Sequence, residues 1–271
     1  MERLKATESR EKKIVKIKNT KVGGGYFLFC AGPCAVESRE LMKEIASYLK
    51  STPVNLIRGG AFKPRTSPYS FQGLGEEGLK ILKEVSEELN IPFVTEVTDT
   101  KYVEIVAKYA DCFQIGSRNM SSFELLKEVG KTGKPVLLKR GMSATVDEFL
   151  NAAEYILNEG NDNIILCERG IRSFDSNFRN ILDLNAVAYL KQKTFLPVIV
   201  DPSHGTGRRE IVEKLSLAAM AAGADGLIVE THPYPEEALS DGFQSLNRKE
   251  FLSLSEKVKK FASIFNYEIQ S

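Results

Sequence analysis

Along the chain, short runs of apolar, largely β-branched residues alternate with longer stretches in which apolar positions recur every three or four residues. Eight of the short runs have strand length: 26–29, 55–57, 92–94, 112–115, 135–138, 163–166, 197–200 and 226–229. The stretches between them carry helical spacing, as in Leu41, Ile45, Leu49; Leu79, Leu82, Val85, Leu89; Phe149, Ala153, Ile156; and Ile211, Leu215, Ala218, Ala222. Successive strands begin roughly 20 to 40 residues apart, the size of one βα unit, and continuous apolar strands suit a sheet covered on both faces. The pattern predicts an α/β fold, a (β/α)8 TIM barrel over residues 26–271. Residues 1–25 form an N-terminal extension, too short for a separate regulatory domain. Within the extension, residues 13–21 alternate apolar and basic, which predicts an additional strand or hairpin able to close the barrel's bottom. An open doubly wound sheet is the alternative, but no GxGxxG follows the first strand, and Gly23-Gly24-Gly25 precedes it as a turn.

Composition narrows the setting. With 271 residues, 42% of them apolar, the chain can bury a large core. The charged run 1–13 cannot serve as a secretory signal, and no apolar run approaches the roughly 20 residues of a membrane-spanning helix. A cytosolic protein is expected. Its four cysteines, Cys30, Cys34, Cys112 and Cys167, are too scattered for a disulfide framework and read as reduced thiols. A formal charge of +1 gives no footprint for nucleic acid or membrane, although a balanced total can conceal a local basic cluster.

In such a barrel the residues at the C-terminal ends of the strands line one mouth, so the residues that follow each apolar run matter most. Cys34, His204 and Glu230 follow three different strands, and Asp241 lies in the loop after the eighth. One thiolate, one imidazole and two carboxylates suit a first-row divalent ion better than magnesium or calcium. Singly, Cys34 could be a small buried residue, His204 a cap, and the two acids surface charges. Delivery of ligand types by three strands to one mouth, in a chain with two histidines, favours the metal reading. Cys30, Cys112 and Cys167 lie inside strands and read as structural. A second set is basic: Arg58, Lys63, Arg118, Lys139 and Arg169, with Arg65 nearby, converge on the same rim. Their mutual repulsion is offset either by an anionic ligand such as phosphate or carboxylate, or by a salt-bridged rim using Glu96, Glu168 and Asp201. Arg140, Arg172, Arg208 and Arg209 are divided between a supporting shell and solvent.

Seven motifs, in order from about residue 25 to 246, carry a family resemblance. They are 31–38 (AGPCAVES), 63–67 (KPRTS), 114–119 (QIGSRN), 138–141 (LKRG), 167–170 (CERG), 201–204 (DPSH) and 239–241 (LSD). Together they resemble the short type I beta branch of the 3-deoxy-D-arabino-heptulosonate 7-phosphate (DAHP) synthases, related to the 3-deoxy-octulosonate 8-phosphate synthases. Ser117 departs from the alanine of many relatives. The resemblance implies one divalent metal ion (Mn, Fe, Co or Zn) held by Cys34, His204, Glu230 and Asp241. It implies phosphoenolpyruvate bound by Arg58, Lys63, Glu96 (through water or a supporting contact), Arg118, Lys139 and Arg169. Erythrose 4-phosphate would be held at Lys63, Pro64, Arg65 and Thr66, in a homodimer or homotetramer that uses small phosphorylated substrates.

The implied reaction condenses phosphoenolpyruvate with the aldose, with the metal as Lewis acid and Cys34, His204 and Lys63 as its catalytic residues. Lys63 is the candidate proton donor to the nascent alkoxide, with a metal-bound water as competitor, and neighbouring cations are expected to lower its pKa. Lacking an added domain, the enzyme is expected to be insensitive to aromatic amino acids. The sister enzymes that use arabinose 5-phosphate carry a loop resembling Lys-Ala-Asn-Arg. Here the lysine-to-arginine spacing is one residue shorter and Pro64 restricts the loop, which is expected to favour the four-carbon aldose. The octulosonate synthase remains one alternative, and a non-catalytic metabolite-binding barrel another.

Overall fold

The computed structural model describes residues 4–64, 67 and 69–270. Ten strands and nine helices of four residues or more lie among them, beginning with an antiparallel hairpin of β1 (Val15–Ile17) and β2 (Thr20–Val22). Eight parallel strands then close into a barrel: β3 (Leu28–Gly32), β4 (Leu56–Arg58), β5 (Phe93–Glu96), β6 (Cys112–Ile115), β7 (Val136–Lys139), β8 (Ile164–Glu168), β9 (Val198–Val200) and β10 (Gly226–Glu230). Each strand pairs with its successor, and β10 pairs back on β3 through Gly226↔Leu28 to Glu230↔Gly32.

Helices α1 (Arg39–Leu49), α2 (Glu76–Leu89), α3 (Val103–Tyr109), α4 (Phe123–Lys131), α5 (Val146–Asn158) and α6 (Leu184–Lys193) fill the crossovers up to β9. The β9–β10 crossover holds the short α7 (Pro202–Thr206) and α8 (Arg209–Ala221), and α9 (Arg248–Ile264) follows β10. Helix entry is written locally: Thr145 with Glu148 and Asn247 with Glu250 form reciprocal capping boxes at α5 and α9. In α8 the buried residues are Val212, Ser216, Ala219 and Met220; the first three lie one residue on from Ile211, Leu215 and Ala218, and Met220 is buried in place of Ala222. Ala-rich helices carry little contrast between faces, so the stripe of largest residues need not be the one that faces the sheet.

The strands are apolar throughout because successive side chains enter two different cores. Leu28, Cys30, Leu56, Val94, Cys112, Leu137, Ile165, Cys167, Ile199 and Ile228 pack inside the barrel. Their neighbours, among them Phe29, Ile57, Phe93, Phe113, Leu138, Leu166 and Val229, pack outward against the helices. This two-residue period accounts for Cys30, Cys112 and Cys167 as small interior residues, all buried and unpaired. The hairpin adds Val15, Ile17 and Val22 to the interior cluster. It is tied to residues just before three strands: Thr20 Oγ1 donates to the Asn55 carbonyl, Asn19 Nδ2 to that of Asn90, and the Lys13 amide to that of Phe195. It therefore plugs the end opposite the mouth. No described helix is long and apolar enough to cross a membrane.

If the hairpin acts as a plug, Ile17→Ala should lower stability by about 2–5 kcal/mol and leave turnover nearly unchanged. Thermal unfolding alongside steady-state rates would show this; equal stability would mean that the hairpin packs without supporting the core.

Candidate active site

The two-residue period also builds the mouth. Two positions beyond an interior apolar residue, each strand presents its last inward side chain: Leu56 leads to Arg58, Val94 to Glu96, Cys112 to Gln114, Leu137 to Lys139, Cys167 to Arg169, Ile199 to Asp201 and Ile228 to Glu230. The strands extend to or near these residues, so most of the site rests on the sheet. At β3 the corresponding position is Gly32, and the chain continues over the barrel to place Cys34, which is buried.

One ligand atom each from Cys34, His204, Glu230 and Asp241 lies within 4.8 Å of the others. Cys34 Sγ is 3.4 Å from Asp241 Oδ2 and 3.2 Å from Ser240 Oγ. His204 Nε2 is 3.5 Å from Glu230 Oε1 and 3.9 Å from Asp241 Oδ2. The imidazole is aimed by Asp201, which caps α7 by accepting the His204 amide at 2.9 Å and meets His204 Nδ1 at 2.8 Å. With the Nδ1 proton directed to Asp201, the Nε2 lone pair faces the group. Gln244 Nε2 donates to Glu230 Oε2 at 2.6 Å, while the buried Glu230 Oε1 accepts no hydrogen bond although Arg58 Nη2 is 3.0 Å away.

The charge state of these groups fits a cation. Burial and then Glu230 push the Cys34 thiol up to about 12, against the pull of Lys63. Burial lowers the His204 pKa despite Asp201 and Glu230, leaving a neutral imidazole. Burial also works against ionisation of Asp241, but His204, Arg179 and Lys63 outweigh it and hold that carboxyl at about 2. A soft sulfur donor, a neutral imidazole and two carboxylates, one with an orphaned buried oxygen, match a divalent transition ion.

Beside this group opens a cleft of about 330 Å³, at the small end of the range for metabolite pockets. Lys63, Pro64, Glu96, Arg118, Lys139 and Arg169 all line it, together with His204 and Asp241. Arg58 and Cys34 lie deeper, around a smaller cavity that Lys63 and Glu96 also border. The basic residues divide by pairing. Arg58 contacts Glu230, and Lys139 Nζ meets Asp201 Oδ2 at 2.5 Å, so both are partly neutralised. Arg169 is buried with no carboxylate within 4.0 Å among the described residues, and burial lowers its pKa. Arg118, exposed at the rim, donates to the Pro64 carbonyl at 2.9 Å. Glu168 does not brace these cations: it pairs outward with Arg140 at 2.9 Å, and Arg140 also holds Asp183 at 3.0 Å. Arg140 thus belongs to a supporting shell, whereas Arg172 and Arg208 are exposed.

Lys63 crosses the cleft to donate to the Cys34 carbonyl at 3.0 Å and to Sγ at 3.1 Å. A Cβ at Gly60 would meet the Lys63 side chain, so glycine there leaves room for the crossing. The expected lowering of the Lys63 pKa is not found. Burial and Arg58 push it down, but Cys34, Glu96 and Glu230 together push it above its ordinary value. Its ammonium rests on the ligand set, 3.1 Å from Cys34 Sγ. Arg65 and Thr66, read as holding the aldose phosphate, lie outside the described residues.

A family model described as the DAHP synthetase I family matches residues 6–266. The chain belongs to this family. It is 51% identical over 259 residues to phospho-2-dehydro-3-deoxyheptonate aldolase of Thermotoga maritima, covering 96% of this chain and 77% of that one. The crystal structure of a Thermotoga maritima protein of that name, DAHP synthase, superposes with a TM-score of 0.93 at 50% identity, covering 95% of this chain and 76% of that one. A truncated form of the 3-deoxy-D-arabino-heptulosonate 7-phosphate synthase from the same organism gives 0.89 at 46% identity, covering 95% of both chains. Similarity extends to 2-dehydro-3-deoxyphosphooctonate aldolase of Francisella tularensis subsp. holarctica, 38% identical over 263 residues, 89% of this chain and 94% of that one.

Within this DAHP synthetase I chain, three further residues support the site. Gln114 lines the cleft, and strand period alone would have placed it there. Arg179 also lines the cleft, contacts Asp241 at 3.4 Å and donates to Gln244 Oε1 at 2.8 Å. Gln244 in turn holds Glu230. Arg179 and Gln244 sit in long loops with no periodicity to mark them.

Metal uptake should depend on pH with a definite sign. Near neutrality Glu230 and Asp241 are ionised and His204 is neutral, so only the Cys34 proton must leave. Affinity for a divalent transition ion should therefore rise about tenfold per pH unit between roughly pH 6.5 and 8. Competition titrations with a metal-binding dye would measure it, and an affinity independent of pH would remove Cys34 from the ligand set.

Proposed function

We propose that this enzyme condenses phosphoenolpyruvate with D-erythrose 4-phosphate and water, giving 3-deoxy-D-arabino-heptulosonate 7-phosphate and inorganic phosphate, the step that opens the shikimate route to aromatic amino acids. The observation that carries the reading is the adjacency of two groups: four metal-ligating side chains within 4.8 Å, and a cleft where Arg118 and Arg169 lack carboxylate partners among the described residues. The second group suits the carboxylate and phosphate of phosphoenolpyruvate, and the first an aldehyde oxygen.

In this scheme Arg58, Lys63, Arg118, Lys139 and Arg169 grip phosphoenolpyruvate, with Glu96 holding a water beside it. Cys34, His204, Glu230 and Asp241 hold a divalent Mn, Fe, Co or Zn ion, which when bound supplies Lewis acidity toward the aldose carbonyl. The C2–C3 π electrons of phosphoenolpyruvate form the new bond to the aldehyde carbon, and water adds at C2. Loss of phosphate with its bridging oxygen then leaves the C2 ketone. Arg169, buried and short of a counter-charge, stabilises the anion at the start and as it departs. Lys63 remains protonated in its surroundings and gives that proton to the alkoxide formed on the aldose.

Arabinose 5-phosphate is the competing aldose, because the Francisella relative is named for the octulosonate product. Higher identity to the heptonate enzyme and Pro64 at the rim favour the shorter sugar. A five-carbon chain would misplace the reacting carbon relative to its phosphate anchor.

Exhaustive chelation should abolish phosphate release and a divalent transition ion should restore it; full activity without metal would rule out the mechanism. With both aldoses assayed side by side and products identified by mass, erythrose 4-phosphate should be preferred by at least about tenfold in kcat/KM, roughly 1.4 kcal/mol in transition-state free energy. Equal use of the pentose phosphate, or preference for it, would assign the chain to the octulosonate reaction. No release with either would favour a binding protein.

A further inference from the structure

Three of the four ligands lie at the end of a barrel strand or in the chain that follows one. Cys34 lies past the end of β3, Glu230 is the last residue of β10, and Asp241 sits in the following loop at φ 51°, a left-handed conformation that only a few non-glycine residues adopt. Glu37, three residues after Cys34, is one side chain that contacts both of the other segments. Glu37 Oε1 accepts the backbone N–H of Leu239, two residues before Asp241, at 2.9 Å. Its Oε2 lies 3.7 Å from Nε2 of His232, two residues after Glu230. The His232 ring is buried, and its Nδ1 accepts the Tyr234 N–H at 3.0 Å, so its own proton is on Nε2 and points at Glu37. That Nε2 is a buried polar atom with no hydrogen-bond partner, and Glu37 is the carboxylate facing it.

We infer that Glu37 is a positioning residue for the metal site, holding the Asp241 loop against the Cys34 and Glu230 segments so that Asp241 reaches the ion. The inference rests on the metal reading proposed above. Glu37 is not one of the four ligands and does not line the cleft. Its effect passes through Asp241, whose carboxylate lies 3.4 Å from Cys34 Sγ and 3.9 Å from His204 Nε2, whose carbonyl accepts from the Gln244 amide at 3.2 Å and Ser245 Oγ at 3.3 Å, and for whose other carboxylate oxygen Arg179 competes at 3.4 Å. Without Glu37, the segment before Asp241 loses the hydrogen bond at Leu239, and the pull of Arg179 on Asp241 is less opposed.

The test is zinc affinity of the full-length apoprotein, measured by chelator competition, for wild type, Glu37→Gln and Glu37→Ala, each also in an Asp241→Asn background. Glu37→Ala should weaken zinc binding by about 10–100-fold. Glu37→Gln should fall between, because its amide oxygen can still accept the Leu239 N–H while its NH2 opposes the His232 proton. In the Asp241→Asn background, Glu37→Ala should change affinity by less than about twofold, the non-additivity expected of residues acting as a unit. Equal losses in both backgrounds, or wild-type affinity in Glu37→Ala, would overturn the inference. Absence of zinc binding by the wild type would instead overturn the metal reading, and this inference with it.

Discussion

The site depends on the two-residue side-chain period of a closed parallel barrel. Because every strand is packed on both faces, its register cannot slip by one residue without exchanging the interior and helix-facing sets. The same constraint that keeps Ile199 inside and Val200 outside aims Asp201 into the mouth; the one that keeps Leu138 outward sends Arg140 to Glu168 and Lys139 to Asp201. Adjacent cations in the sequence thereby receive different tasks, one at the cleft and one behind it. Chemistry on rigid strand ends is also held more closely than loops would allow.

Around that frame, electrostatics divides the mouth into two environments. On one side, acidic groups and a buried thiol gather around His204, and the carboxylate oxygen of Glu230 left without a hydrogen bond shows where a cation would be satisfied. On the other, Arg169 and Arg118 have no carboxylates to neutralise them among the described residues, so an anion would be stabilised there. Lys63 joins the two, with its stem in the anion cleft and its ammonium on Cys34. In the proposed reaction, an anionic enol ester and a phosphorylated aldehyde would use both environments at once, and their adjacency would bring the reacting carbons together.

How much of this could be read from the sequence follows from the same physics. The eight strands were legible because a sheet buried on both faces needs unbroken apolar runs, and Cys34, His204 and Glu230 were legible because each stands just beyond one. The hairpin at 15–22 was visible in its alternation. The α8 stripe was misread by one residue because its faces differ so little. The pKa of Lys63 was misjudged because neighbours in the sequence are cations, whereas neighbours in space include Cys34, Glu96 and Glu230. Arg179 and Gln244 reach the site from long loops, where no period predicts direction, and Glu37 looked like one letter of a motif until its contacts to Leu239 and His232 gave it a place.

Whether Cys34, His204, Glu230 and Asp241 form one transition-metal site with a sulfur donor can be read directly by cobalt(II) substitution. A thiolate bound to cobalt absorbs in the near ultraviolet, and a site of nitrogen and oxygen alone does not. A site with Cys34 as a ligand gives one equivalent of cobalt per chain, a thiolate charge-transfer band that saturates at that equivalent, and loss of the band in Cys34→Ser. Stoichiometric cobalt binding without the band, or a band that survives Cys34→Ser, would contradict it.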